Sequence, residues 1–211
     1  MPKRSLILYF SLTGNTEKVV QRFKQVFEKR GWECDLLKVT KKTPLMPSPF
    51  DCDKYDFICV GSGVYKSLPS ETLIDAMRYN PRSIHYGPSV ASGGAPLPQM
   101  PEPGQFKAPP EGGAPMFGHT KTILGPETKR GIVFVTYAGH EFGPPEAVPA
   151  LETLALELEH LKIKCAGKFS CPGKFGKNPE GVWYKDIMER PNARDLLKAE
   201  IFLEEVLEEL D

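Results

Sequence analysis

Charge of one sign, paired cysteines and long apolar runs are all missing from this chain. Lys and Arg together number 27, as do Asp and Glu. That balance removes both the basic footprint of a nucleic-acid binder and the acidic field that would steer a basic partner. No apolar run approaches the ~20 residues needed to span a bilayer. Met1-Pro2-Lys3-Arg4 leads into only five apolar residues, whereas a secretory leader needs a longer apolar core and a small-residue cleavage site. The expectation is a cytoplasmic protein with neither membrane nor nucleic acid among its partners. Cys34, Cys52, Cys59, Cys165 and Cys171 are odd in number and scattered, with no CxxC pair. They read as free thiols rather than a disulfide framework or a thiolate metal site. His85 and His119 alone make no metal site, so none is expected.

What the chain does have is alternation. At 211 residues it suits one large domain, 1–211, on a prior of roughly 150 residues per domain. Leu6–Phe10 is an unbroken apolar run, as in a parallel strand covered on both faces. From Thr16 the residues Val19, Val20, Phe23, Val26 and Phe27 recur at helical spacing, and Gly31 follows as a stop. Trp32–Val39, Phe57–Val60, Gly131–Val135 and Ile163–Phe169 read as four further strands. Ser70–Arg78, Glu146–Leu161 and Asn192–Leu210 read as helices, the last with Asn192 and Asp195 spaced as a capping box. Such alternation predicts an α/β fold with a doubly wound five-stranded parallel sheet and right-handed crossovers. A sheet of this kind binds ligands beyond the carboxyl ends of its strands. Residues 88–118 break the pattern, with eight prolines and six glycines in 31 positions. That composition reads as an insertion before the fourth strand: a lid over a site, a mobile segment, or an arm for a partner.

The turn after the first strand is Ser11-Leu12-Thr13-Gly14-Asn15-Thr16. It lies at the amino end of the first helix, where unpaired N–H groups and the helix dipole favour an anion. Ser11, Thr13 and Thr16 add neutral hydroxyl donors, and Gly14 permits close approach or a positive φ. There is no Walker lysine and no GxGxxG, so a terminal phosphate monoester fits better than a di- or triphosphate with a metal. The competing reading is a hydroxyl-rich helix cap that binds nothing.

Ser-x-Thr-Gly-Asn-Thr directly after the first strand resembles the FMN-phosphate fingerprint of the flavodoxin family. Val60-Gly61-Ser62-Gly63-Val64-Tyr65 and Thr136-Tyr137-Ala138-Gly139 resemble that family's second and third FMN loops. Phe169–Lys174 and Arg190–Leu196 are similar to the tail of a branch whose members are sometimes fused to ferredoxin modules. The resemblance implies strand order 2-1-3-4-5 and non-covalent FMN. It places Ser11, Thr13, Gly14, Asn15 and Thr16 on the phosphate. Gly61, Ser62, Gly63, Val64 and Tyr65 would line one side of the flavin ring, and Tyr137, Ala138, Gly139 and His140 the other. Tyr65 and Tyr137, with Phe142 behind them, offer flat surfaces for stacking, or are simply loop aromatics.

Two functions follow. The protein is an electron carrier serving a redox partner protein, of ferredoxin type among others, or an FMN-dependent oxidoreductase using NAD(P)H and a quinone or other small acceptor. A fold that has lost FMN is disfavoured by the intact turn. His140 could tune the potential if its imidazole meets the flavin edge, since its ordinary pKa is about 6.5; otherwise it is a solvated loop residue. Cys171, near Lys168 and Lys174, sits in the most basic sequence setting of the five thiols, which lowers a thiol pKa where the cations reach it.

Overall fold

The computed structural model describes residues 2–84, 129–138, 143–174 and 187–210. Five parallel strands, β1 (Arg4–Tyr9), β2 (Glu33–Lys38), β3 (Phe57–Gly63), β4 (Arg130–Tyr137) and β5 (Lys164–Pro172), form one sheet in the order β2-β1-β3-β4-β5. Helices α1 (Asn15–Lys29) and α4 (Ala193–Glu208) cover one face. Helices α2 (Glu71–Arg78) and α3 (Val148–His160) cover the other. The expected fold class and strand order are those observed. The 88–118 segment lies outside the described residues, as do Gly139, His140 and Phe142.

Strand parity divides the core. Leu6, Leu8, Ile58, Val60, Val133 and Val135 pack against α2 and α3, while Ile7, Tyr9, Cys59, Ile132 and Phe134 pack against α1 and α4. Burial on both faces explains why the strands read as continuous apolar runs rather than alternating ones. Phe23 of α1 meets Phe134 edge-on, with centroids 5.0 Å apart, a geometry worth about 0.5–1.5 kcal/mol beyond its buried area.

β5 runs three residues past the expected end at Phe169, to Pro172. It is an edge strand, where a proline's missing N–H removes no ladder bond. The third helical stretch opens as a 3₁₀ turn, Pro144–Ala147, before α3 begins. The capping box of α4 is formed: Asn192 accepts from the Arg194 and Asp195 N–H groups, and Asp195 accepts from the Asn192 N–H. Among the described residues, no helix is long and apolar enough to cross a membrane.

Candidate functional site

The connections β1–α1, β3–α2 and β4–α3 all leave from the carboxyl end of the sheet, so the three loops singled out in the sequence converge there. Gly14 is the N-cap of α1, with φ 83°, and no side chain caps the helix. A Cβ at Gly14 would meet nothing within 4 Å; the glycine is required by its left-handed backbone, not by space. The Ser11 hydroxyl accepts from the Gly14 N–H at 3.2 Å, so its own hydrogen stays free to donate. Thr13 is exposed, and its hydroxyl oxygen accepts from Asn15 Nδ2 at 3.1 Å.

Asn15 has a different task from its neighbours. Its second Nδ2 hydrogen goes to the Lys174 carbonyl at 2.8 Å. An amide nitrogen has two donors, and here one steers Thr13 while the other fastens the turn to the end of β5. Thr16 is 1% exposed, and its hydroxyl lies 2.9 Å from that of Thr136 on β4. One hydrogen joins the two oxygens and the other remains for a further acceptor. Thr136 was quoted in the third loop, but nothing in the sequence signalled this contact across 120 positions.

The second loop divides in two. Gly61 and Ser62 are buried within β3. A Cβ on Gly61 would lie 2.1 Å from the Phe134 ring, so this glycine admits core packing. The Ser62 hydroxyl donates to the Gly63 carbonyl at 2.7 Å and accepts from the Ser70 N–H at 3.0 Å, fixing where α2 begins. Gly63 is also buried, Val64 is partly buried, and Tyr65 is exposed. Tyr65 and Leu68 exchange backbone hydrogen bonds of 2.8 and 3.1 Å around Lys66 and Ser67, whose φ angles are 51° and 64°. Two positive φ values in succession mark a type I′ turn. The Tyr65 ring stands edge-on to Phe10, 5.9 Å between centroids. Burial raises its phenol above the ordinary pKa, with the nearby Leu12 backbone opposing the rise.

In the third loop, Thr136 faces Thr16, and Ala138 is partly buried. Tyr137 departs from expectation: it is 4% exposed and packs with Val133 and Val135 on the α2–α3 face. Its ring belongs to the core by strand parity, which leaves Tyr65 as the exposed aromatic among the described loop residues. Gly139 and His140 lie outside the described residues. Cys171 is an inert thiol here, and the redox role left open by its sequence setting falls away. It is buried against the α1–α4 face, and burial pushes its thiol well above the ordinary value, with Asp195 adding to the rise. The basic sequence neighbours do not make it reactive.

Beside the turn, Glu17 accepts from the Tyr9 hydroxyl at 3.3 Å and pairs with Lys38 at 2.8 Å. Burial, with Glu17 adding, pushes the Tyr9 phenol up to about 12. A cavity of about 410 Å³, lined in part by Pro47, Pro49, Asp53, Tyr55, Asn80 and Arg82, opens at the other end of the sheet and takes no part in this arrangement.

No family model matches the chain, and no curated protein matches it. Solved structures do. A flavodoxin 2 from Bacillus cereus superposes with a TM-score of 0.53 at 15% identity, covering 98% of this chain and 99% of that one. A Streptococcus pneumonia flavodoxin gives 0.53 at 11% identity, covering 98% and 99%. The chain has a flavodoxin-like fold. This flavodoxin-like unit also matches a flavodiiron core from Synechocystis, with a TM-score of 0.52 at 10% identity, covering 99% of this chain and 37% of that one. At these identities the shared property is the fold, so what a flavodoxin-like chain holds in its crevice is argued from its own residues.

Proposed function

We propose that this chain binds FMN non-covalently at the carboxyl end of its sheet and transfers electrons through it. The observation that carries the reading is the first turn: an uncapped helix end behind a left-handed glycine, with Ser11 and Thr13 hydroxyl hydrogens left to donate. Neutral donors and a helix dipole suit a phosphate monoester. Thr16 and Thr136 together retain one further hydrogen beneath the turn. Asn15 acts by position, holding Thr13 and tying the turn to Lys174. These residues therefore fit the phosphate group of FMN, and Tyr65, with Val64 beside it, is the described aromatic available to its ring.

Bound flavin supplies the electron chemistry; the protein sets its environment and its access. The Ser62 hydroxyl holds the second loop to the start of α2. The structural neighbours, flavodoxins and a flavodiiron core, support a redox role of this general kind.

The test is to titrate apo-protein with FMN and with riboflavin. Each charge-assisted bond to phosphate is worth roughly 1.5–3 kcal/mol, so FMN should bind at least about a hundredfold more tightly. Equal affinities would mean that the turn does not hold phosphate. Anaerobic NADH and NADPH then separate the two chemistries: rapid bleaching with reoxidation by quinone makes the protein an oxidoreductase, and indifference to both makes it a carrier.

A further inference from the structure

The chain is neutral overall, but the rim of the carboxyl end is not. Lys18, Lys41, Lys42, Lys66 and Lys174 are all exposed there, and none is in an ion pair among the described residues. Lys38 joins them, engaged with Glu17. Among the described residues the acids of the same rim are that paired Glu17, Glu71, Glu146 and Glu189, the last offset by exposed Arg194 at the start of α4. Two negative charges on a bound phosphate would reduce this excess without cancelling it.

Apolar side chains stand among these lysines. Leu12 is 72% exposed, Leu68 is 52% exposed, and Tyr65 at 36% links them. The link is physical: the Leu12 backbone lies beside the Tyr65 oxygen, and Tyr65 pairs with Leu68 across the hairpin. At the tip of that hairpin, Lys66 and Ser67 hold left-handed backbones, a region that costs a residue with a Cβ about 1 kcal/mol or more. Asn-Gly would form the turn with less strain. The chain instead keeps a lysine at its tip, beside an exposed leucine. An apolar centre with a charged rim is the composition of a transient protein interface, where opposite charge speeds encounter.

We infer that this rim docks an acidic redox protein, with Leu12, Tyr65 and Leu68 at the contact centre and the lysines steering approach. The inference rests on the proposed flavin role for its purpose, but the docking itself is measurable without flavin. Leu12 and Leu68 project from the surface, which suits a protein face better than a dinucleotide cleft.

The experiment records amide shifts of the labelled protein, with and without FMN, on adding a gallium-substituted acidic plant-type ferredoxin at low salt. Parallel titrations use a basic c-type cytochrome and NADPH. Shifts centred on Leu12, Lys66 and Leu68, lost in 0.5 M NaCl and weakened at least about fivefold in affinity by Lys66→Glu or the Lys41→Glu/Lys42→Glu pair, support the inference. No shifts with the ferredoxin, shifts elsewhere, or unaltered affinity in those variants overturn it. A stronger response to the cytochrome, or NADPH competing for the same amides, also overturns it. Failure of FMN to bind, with ferredoxin docking intact, would remove the proposed function and leave the surface standing.

Discussion

The two ends of the sheet use polar side chains in opposite ways. At the amino end, Asn80 is 1% exposed and fully engaged: its amide donates to Ser48 and to the Phe50 carbonyl, and its oxygen accepts from the Arg82 N–H. Lys129 donates to the Cys52 and Tyr55 carbonyls, and Arg82 bonds Asp53 and the Leu161 carbonyl. At the carboxyl end, Ser11, Thr13 and the Thr16–Thr136 pair each keep a donor in hand, the helix is uncapped, and five lysines are without acidic partners among the described residues. Polar groups that satisfy one another hold a structure together. Groups left with spare capacity are available to a ligand or a partner.

That contrast is breakable. The largest expected effect is on stability, at the amino end. Asn80→Leu leaves four partners, the Cys52 thiol included, without their bonds in a buried setting and should lower unfolding free energy by about 2–4 kcal/mol, read by urea denaturation, with FMN affinity unchanged. A matching loss of FMN affinity would dissolve the division between the ends. Next in size, the Ser11→Ala/Thr13→Ala double variant should weaken FMN about a hundredfold while moving stability by no more than about 1 kcal/mol. The reverse pattern would make the turn a cap and not a site.

A smaller effect tests how the turn is supported. Thr16→Val and Thr136→Val should show coupling of about 1 kcal/mol in FMN binding, because each removes the shared hydrogen bond; strict additivity would mean that the two hydroxyls act separately. The smallest effect lies far from neutrality. Tyr9 and Tyr55 are both pushed up to about 12 by burial, with Glu17 and Asp35 contributing. Since their ordinary value is 10.0, the unfolded chain loses these protons first. Stability from the two phenols is therefore intact below pH 10 and drains away as pH rises through 12. Urea midpoints from pH 8 to 12 should fall less steeply in Tyr9→Phe and Tyr55→Phe.

Much of the fold was legible because its signals are local: continuous apolar runs, helical spacing, and Asn192 with Asp195 at the start of α4. The turn after β1, with its left-handed Gly14 at the head of α1, was legible for the same reason. What could not be read were partners distant in sequence. No sequence signal pointed to the bond from the Asn15 amide to the Lys174 carbonyl, or to the bond from the Ser70 N–H to the Ser62 hydroxyl. The burial of Tyr137 was readable in principle, since it shares parity with Val133 and Val135 on a doubly covered strand. For Cys171 the sequence left an inert thiol and a redox role both open, because flanking lysines on a strand say little about an inward thiol.

The clasp between Asn15 and Lys174 also bears on the order in which the protein is made. The first turn emerges from the ribosome early, yet its supports come from Thr136 and from a carbonyl 159 positions downstream. At roughly 5–20 residues per second, that interval is on the order of 8–30 s. During nascent-chain growth the turn is therefore present long before its braces, and its final shape waits for the last strand.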